Sequence, residues 1–165
     1  LVGLRAATSD WLVTADFDGT YPVNVADRIV RSCVRNNAPA AICVRYPDTA
    51  IPPMLQTGVK VLNVEYRILH GWHCRDSLSG MFVVSRQAFL LMDGDSSIDW
   101  AVGWDFSPQF KIELLRHYGK DGVLQRKVKQ NHRGGGDTKQ HYWRTGFGHL
   151  LWIAKDRFKR GKVVV

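Results

Sequence analysis

The chain has 165 residues and a mass of 18.7 kDa, with 45% hydrophobic and 23% charged residues. Those are the proportions of one globular domain and exclude disordered, collagenous and disulfide-scaffold proteins. Cys33, Cys43 and Cys74 form an odd, sparse set without Cys-x-x-Cys spacing, which points to free thiols and a reducing compartment, and no apolar run reaches the roughly 20 residues that span a bilayer. The formal net charge of +8 is unevenly placed: residues 1–124 carry 12 basic and 13 acidic side chains, residues 125–165 carry 11 and 2. A basic end of this kind suits a nucleic-acid backbone, an anionic membrane surface or a phosphorylated substrate, unless it is simply a solvated tail.

The first residue is Leu1 rather than Met, and the opening residues read as helical, so the expectation is a fragment lacking an N-terminal part. Trp11 to Phe17 reads as a short buried strand ending in acids and Gly19. Asn24 is the predicted cap of a helix over 25–37, with Val25, Ile29, Val30, Cys33 and Val34 on one face. Ala40 to Tyr46 is a second strand. After a loop with three prolines, Leu55, Val59, Leu62, Tyr66 and Leu69 recur at helical spacing over 54–69, and Gly71 ends that helix. Met81 to Ser85 is a third strand, followed by a short helix near 86–92 and an acidic loop over 93–105. Ser107 and Pro108 predict a helix start that runs to Gly119. Val123 to Asn131 alternates as a strand, Gly134 to Gly136 forms a loop, and helical periodicity returns from about 140 to 160. Strands alternating with helices predict an α/β domain with a mixed, mostly parallel sheet flanked by helices.

Four segments carry candidate chemistry. Asp16 and Asp18 stand at the end of a strand, where open α/β sheets bind ligands. A turn at Gly19 can bring both carboxylates, with the Thr20 hydroxyl, toward a hard cation such as Mg²⁺ or Mn²⁺, although a plain turn uses the same residues. In Arg75 to Gly80, Asp76 can orient an acceptor or take its proton, and Ser77 and Ser79 can donate to a phosphate; an ordinary Asp-Ser turn is the alternative. Arg45, after the second strand, is either a phosphate ligand or a surface charge. Arg133, Thr138 and Lys139 surround three glycines, a pattern that suits anion binding as well as a flexible loop. Beyond them, Trp143, Phe147, Leu150, Leu151 and Phe158 fall on one broad face, with Lys155, Arg157, Lys159 and Arg160 at the end. Such a helix belongs either at a membrane interface or in the core with a solvated polar face.

Taken together, these motifs resemble the family 2 glycosyltransferases, and within them the polyprenol-phosphate, dolichol-phosphate-mannosyltransferase-like branch. Asp16-Phe-Asp-Gly-Thr-Tyr-Pro22 is similar to the family's Asp-x-Asp segment, and Asp76 to Phe82 to its Asp-x-x-Ser-Gly-Phe, with the aromatic shifted by one. Arg45-Tyr46 keeps half of a Gly-Ser-Arg-Tyr segment, and Arg133 to Lys139 matches Arg-x-x-Gly-x-Ser-Lys with Thr138 in place of Ser. The resemblance implies a nucleotide-diphospho-sugar transferase (GT-A) fold without its N-terminal strand-helix units, which in relatives bind the nucleotide base. It implies a partial catalytic domain over 1–139 and a basic amphipathic C-terminal helix over 140–165. Asp16, Asp18 and Thr20 would hold Mg²⁺ or Mn²⁺, with Asp18 also acting in catalysis. Asp76 would be the carboxylate near the acceptor, and Arg45, Ser77, Ser79, Arg133, Thr138 and Lys139 would bind the phosphates. The reaction implied is inverting transfer of a sugar from a nucleotide-diphosphate sugar to a polyprenyl or dolichyl phosphate, at the cytoplasmic face of a membrane. Two other readings compete: a basic nucleic-acid-binding module, and a non-catalytic membrane-associated relative.

Overall fold

The computed structural model describes residues 1–16, 18–46, 53–131 and 141–160, apart from the side chains of Trp104 and Tyr142. The elements run α1 (Val2–Ala6), β1 (Trp11–Thr14), α2 (Ala26–Arg35), β2 (Ala40–Tyr46), α3 (Pro53–His70), β3 (Phe82–Ser85), α4 (Arg86–Asp93), α5 (Phe106–Tyr118), β4 (Val123–Lys129) and α6 (Tyr142–Arg160). The four strands form one sheet in the order β1-β3-β2-β4. β2 and β4 are parallel from Ala40↔Val123 to Tyr46↔Lys129. β3 is antiparallel to both β1 and β2. The α/β class and the mixed, helix-flanked sheet therefore hold: β1, β2 and β4 point one way and β3 alone is reversed.

Side-chain alternation along the strands builds a core on each face of the sheet. Ala40 and Ile42 of β2, with Leu12, Phe82 and Val84, pack against α3, α4, α5 and α6. Ala41 and Cys43, with Met81, Val83 and Val128, pack against Ile29 and Cys33 of α2. Phe82 stacks on Phe110 of α5 at 4.2 Å between ring centres. Trp100, in the acidic loop, packs on Phe106 and Phe110 and belongs to this core. All three cysteines are buried and free, as their spacing suggested.

Two predicted helix caps are corrected. Asn24 lies within a 3₁₀ turn (Val23–Val25), and α2 starts after Val25 without a side-chain cap. α5 starts at Phe106, and the Ser107 hydroxyl donates to the Ser79 carbonyl at 3.1 Å, across the fold rather than along its own helix.

α6 docks on α3 and α5. Its inner face buries His149, Ile153 and Asp156. Arg116 of α5 grips Asp156 through two hydrogen bonds of 3.1 and 2.6 Å, and Arg160 pairs with the buried Glu113. His70 sits beside this group, its pKa lowered by burial against the opposing pull of Asp156. Trp143, Phe147, Leu151 and Phe158 face outward, whereas Leu150 turns toward the core. No described helix is long and apolar enough to cross a membrane.

Candidate active site

The strand directions place the candidate residues together. β1, β2 and β4 all end at one edge of the sheet, and the reversed β3 begins there. That edge carries Asp16 and Asp18 after β1, Arg45 near the end of β2, the 76–80 loop before β3 and Asn131 after β4. A cleft between Asp10, Trp11, Arg86 and Leu91 lies at the other end of β1 and β3, away from these acids. The chemistry sits at the edge, so the cleft is not the candidate site.

Gly19 has φ +78°, a left-handed turn that glycine adopts without strain. It folds Thr20 back, so that both its N–H (3.0 Å) and its hydroxyl (2.6 Å) donate to Asp18 Oδ1. Thr20 thereby fixes the orientation of that carboxylate. Asn131 ties the turn to the end of β4, its backbone N–H donating to the Thr20 carbonyl at 3.0 Å and its side-chain amide to the Gly19 carbonyl at 3.3 Å. The exposed Asp16 carboxylate lies against Gly80: a Cβ there would stand 2.7 Å from Oδ1 and 3.0 Å from Oδ2. Glycine is what lets the third strand's approach come this close.

Asp76 is only 3% exposed. Its carboxylate accepts Arg45 Nε and Nη2, both at 2.7 Å, and the Arg45 backbone N–H at 3.1 Å. Two of the three guanidinium nitrogens are thus spent on Asp76. Burial alone would lower the pKa of Arg45, but the hydrogen bonds and charge of Asp76 outweigh it and raise it further. The Asp16 charge adds to the same effect.

Residues that the sequence did not single out shape the loop. Lys111 of α5 is wholly buried, and its Nζ donates to the carbonyls of Ser77 (2.6 Å), Ser79 (2.7 Å) and Asp76 (3.4 Å). Burial lowers its pKa to about 8. Asn63 of α3 accepts from the Ser77 N–H at 3.0 Å and donates to the Arg75 carbonyl at 3.0 Å. The Tyr21 hydroxyl accepts from the Gly80 N–H at 2.8 Å, and burial pushes its pKa up to about 12. Thr14 donates to the Gly80 carbonyl at 3.0 Å. A lysine in the apolar stretch Phe110–Leu115 is a faint sequence signal at best, because solvated helix faces carry lysines at the same spacing.

Ser77 and Ser79 are buried. Ser79 Oγ turns to the Met81 carbonyl at 3.4 Å, and Ser77 Oγ has no hydrogen-bond partner among the described residues. The Ser77 and Gly80 N–H groups are already taken by Asn63 and Tyr21. Loop shape, rather than open anion donors, is what these groups provide. Arg133, Thr138 and Lys139 lie outside the described residues, as does the glycine run between them.

Asp16, Asp18 and Thr20 offer only oxygen donors, the set a hard cation takes. Among the described residues no cluster of three or more His, Cys, Asp or Glu side chains can hold an ion. An ion here would therefore complete its shell with water and ligand oxygens, as Mg²⁺ commonly does.

No family model and no curated protein matches the chain in sequence. Solved structures do match it in fold. Glucosyl-3-phosphoglycerate synthase from Mycobacterium tuberculosis, in complex with phosphoglyceric acid, superposes with a TM-score of 0.67 at 16% identity, over 93% of this chain and 51% of that one. Mannosyl-3-phosphoglycerate synthase from Rubrobacter xylanophilus gives 0.69 at 16%, over 98% and 50%. The M. tuberculosis enzyme with Mn²⁺, uridine diphosphate and glucosyl-3-phosphoglycerate gives 0.63 at 16%, over 93% and 51%. The fold is thus that of GT-A glycosyltransferases, and the chain spans about half the length of the structures it matches.

Proposed function

We propose that this chain forms part of a metal-dependent glycosyltransferase that moves a sugar from a nucleotide-diphosphate sugar to a phosphate-bearing acceptor. The carrying observation is the meeting, at one sheet edge, of Asp16, Asp18, the Arg45–Asp76 pair and the 76–80 loop, in a fold shared with sugar-nucleotide transferases. Asp16 and Asp18 would hold Mg²⁺ or Mn²⁺, with Thr20 fixing Asp18 and standing beside the ion. A bound ion would neutralise charge on the departing diphosphate. Asn131, bonded to the acidic turn, precedes Arg133 by two positions in the chain, which supports a phosphate-binding role for Arg133, Thr138 and Lys139.

A polyprenyl or dolichyl phosphate is already an anion at neutral pH. Its oxygen attacks the anomeric carbon, the bond to the diphosphate breaks on the opposite face, and the configuration inverts. No proton has to be removed, which agrees with an Asp76 committed to Arg45 instead of facing a substrate hydroxyl. Asp76 acts in this reading as the anchor that aims Arg45 at the acceptor side.

A polyprenyl or dolichyl phosphate is the acceptor we favour. The motifs support it, and so does α6, whose outer face exposes Trp143 (76%) and Phe158 (83%) beside the basic Arg144, Lys155 and Lys159. Aromatic and basic side chains on one helix face suit an anionic membrane surface. The second reading, a small phosphorylated acceptor, is favoured by the phosphoglycerate in the similar structures. Calorimetric titration of the full-length protein that contains this chain with UDP-glucose and with GDP-mannose, each with and without Mn²⁺, tests the donor site. Mn²⁺-dependent binding that disappears in Asp16→Ala/Asp18→Ala is expected; no binding of either donor would remove the transferase reading. Product formation from dolichyl phosphate or from 3-phosphoglycerate then separates the two acceptors.

A further inference from the structure

We propose that Lys111 is a positioning residue for Asp16, acting at a distance through the backbone of the 76–80 loop. The inference rests on the reading of Asp16 as a metal ligand. An ammonium group has three N–H donors and no acceptor, and three loop carbonyls converge on this one, at 2.6, 2.7 and 3.4 Å. One helical turn earlier on α5, Ser107 places a second donor on the Ser79 carbonyl at 3.1 Å. The helix thus clamps the loop from below through two side chains at i and i+4.

Gly80 is the next residue along, and it transmits the clamp to the acid. Its N–H is held by Tyr21 and its carbonyl by Thr14, and its Cα forms the wall against which the Asp16 carboxylate rests. The room at Gly80 is too small for even a methyl group, so a small shift of this backbone changes where Asp16 Oδ1 and Oδ2 lie. Removing the ammonium would leave the buried Ser77 carbonyl without its donor and the Ser79 carbonyl held by Ser107 alone, which a low-dielectric interior penalises. The loop would relax, and Asp16 would lose its rest position without itself being altered.

The test uses Lys111→Met, which keeps length and removes all three donors, and Ser107→Ala, which removes one. Mn²⁺ alone is the probe, its affinity read from the EPR signal of the free ion. Amide hydrogen exchange at Gly80 is followed by NMR in metal-free protein. Lys111→Met should weaken Mn²⁺ binding about 10-fold, the size typical of lost outer-shell support. It should speed Gly80 exchange while Ala41 to Val44 stay protected. Ser107→Ala should shift both readouts the same way by less, and it decides the matter if Lys111→Met does not fold. Wild-type Mn²⁺ affinity and wild-type Gly80 exchange in the folded variants would overturn the inference alone. A wild-type protein that binds no Mn²⁺ would overturn the metal reading and this inference with it.

Discussion

The Arg45–Asp76 pair lends itself to a quantitative test. The two side chains are 13% and 4% exposed, so the pair is largely shut away from water. Asp76→Asn keeps the shape but removes the charge and turns an amide N–H₂ toward the guanidinium, leaving Arg45 as a buried cation without its anion. Breaking a buried pair from one side costs about 3–5 kcal/mol. In a domain of this size each kcal/mol lowers Tm by roughly 2–4 °C, so the variant should melt about 6–20 °C below wild type. Arg45→Met/Asp76→Leu removes both charges together and should recover most of the loss, because a well-packed apolar substitute for a buried pair is often neutral. The coupling between the two sites should therefore exceed about 2 kcal/mol, near the top of the range for contacting residues. Urea unfolding followed by tryptophan fluorescence measures wild type, Arg45→Met, Asp76→Leu and the double variant for the cycle, and Asp76→Asn beside them, with unchanged m-values as the check on two-state behaviour. Were Asp76→Asn to lie within about 1 kcal/mol of wild type, the carboxylate would not be the structural partner of Arg45, and a role directed at substrate would regain its place.

Three further outcomes follow from the same geometry. Gly80→Ala drives a methyl group into the Asp16 carboxylate; because that side chain is exposed and can rotate away, Mn²⁺ affinity should fall about 10-fold while urea stability changes by less than about 1 kcal/mol, and equal loss of both would contradict this. Lys111 titrates near 8 in the folded state against 10.5 ordinarily, held down by burial despite Cys74, Asp76 and Asp16 nearby, so the unfolded chain binds more protons between those values. Wild-type stability relative to Lys111→Met should be flat below about pH 8 and rise by up to roughly 3 kcal/mol toward pH 10.5, as urea titrations at stepped pH will show; parallel curves would refute it. Trp143→Ser/Phe158→Ser, on the outer face of α6, should reduce co-sedimentation with phosphatidylserine-rich vesicles by roughly 10-fold or more. Undiminished sedimentation would show that this face is not the contact, and capture by single-stranded oligonucleotide instead would point to a nucleic-acid partner.

Much of the architecture is legible in the residues themselves. Ala40 to Val44 is an unbroken apolar run after Pro39, and the strand that holds it, Ala40–Tyr46, has the bounds read from the sequence. The helix read over 54–69 extends from Pro53 to His70, and Gly71, with φ +73°, follows it. The caps were harder to read, because Ser and Asn hydroxyl and amide groups bond wherever a partner stands. Ser107 serves Ser79, whereas Ser85, at the end of β3, caps α4 by accepting from the Ala88 N–H at 3.2 Å. The helical period of α6 was also clear, but not its inner face. Leu150 lies on the same broad stripe as Leu151, yet only Leu150 packs inward, while His149 and Asp156 are buried with Ile153.

Local chemistry, then, was enough for the alternation of strands and helices, the free thiols and the acidic turn after β1. Each depends on neighbours within a few positions: the period of apolar side chains, the conformational freedom of Gly19, the absence of paired cysteine spacing. Tertiary structure decided what those pieces face. The reversal of β3 brings residues 76–80 to the edge that Asp16 and Arg45 occupy, and it commits Asp76 to Arg45 across a separation of 31 residues. Packing on every side of α5 turned Lys111 and Glu113 from surface residues by pattern into buried charges with partners. Burial and pairing are set by groups distant in the chain, so no window of the sequence contains them.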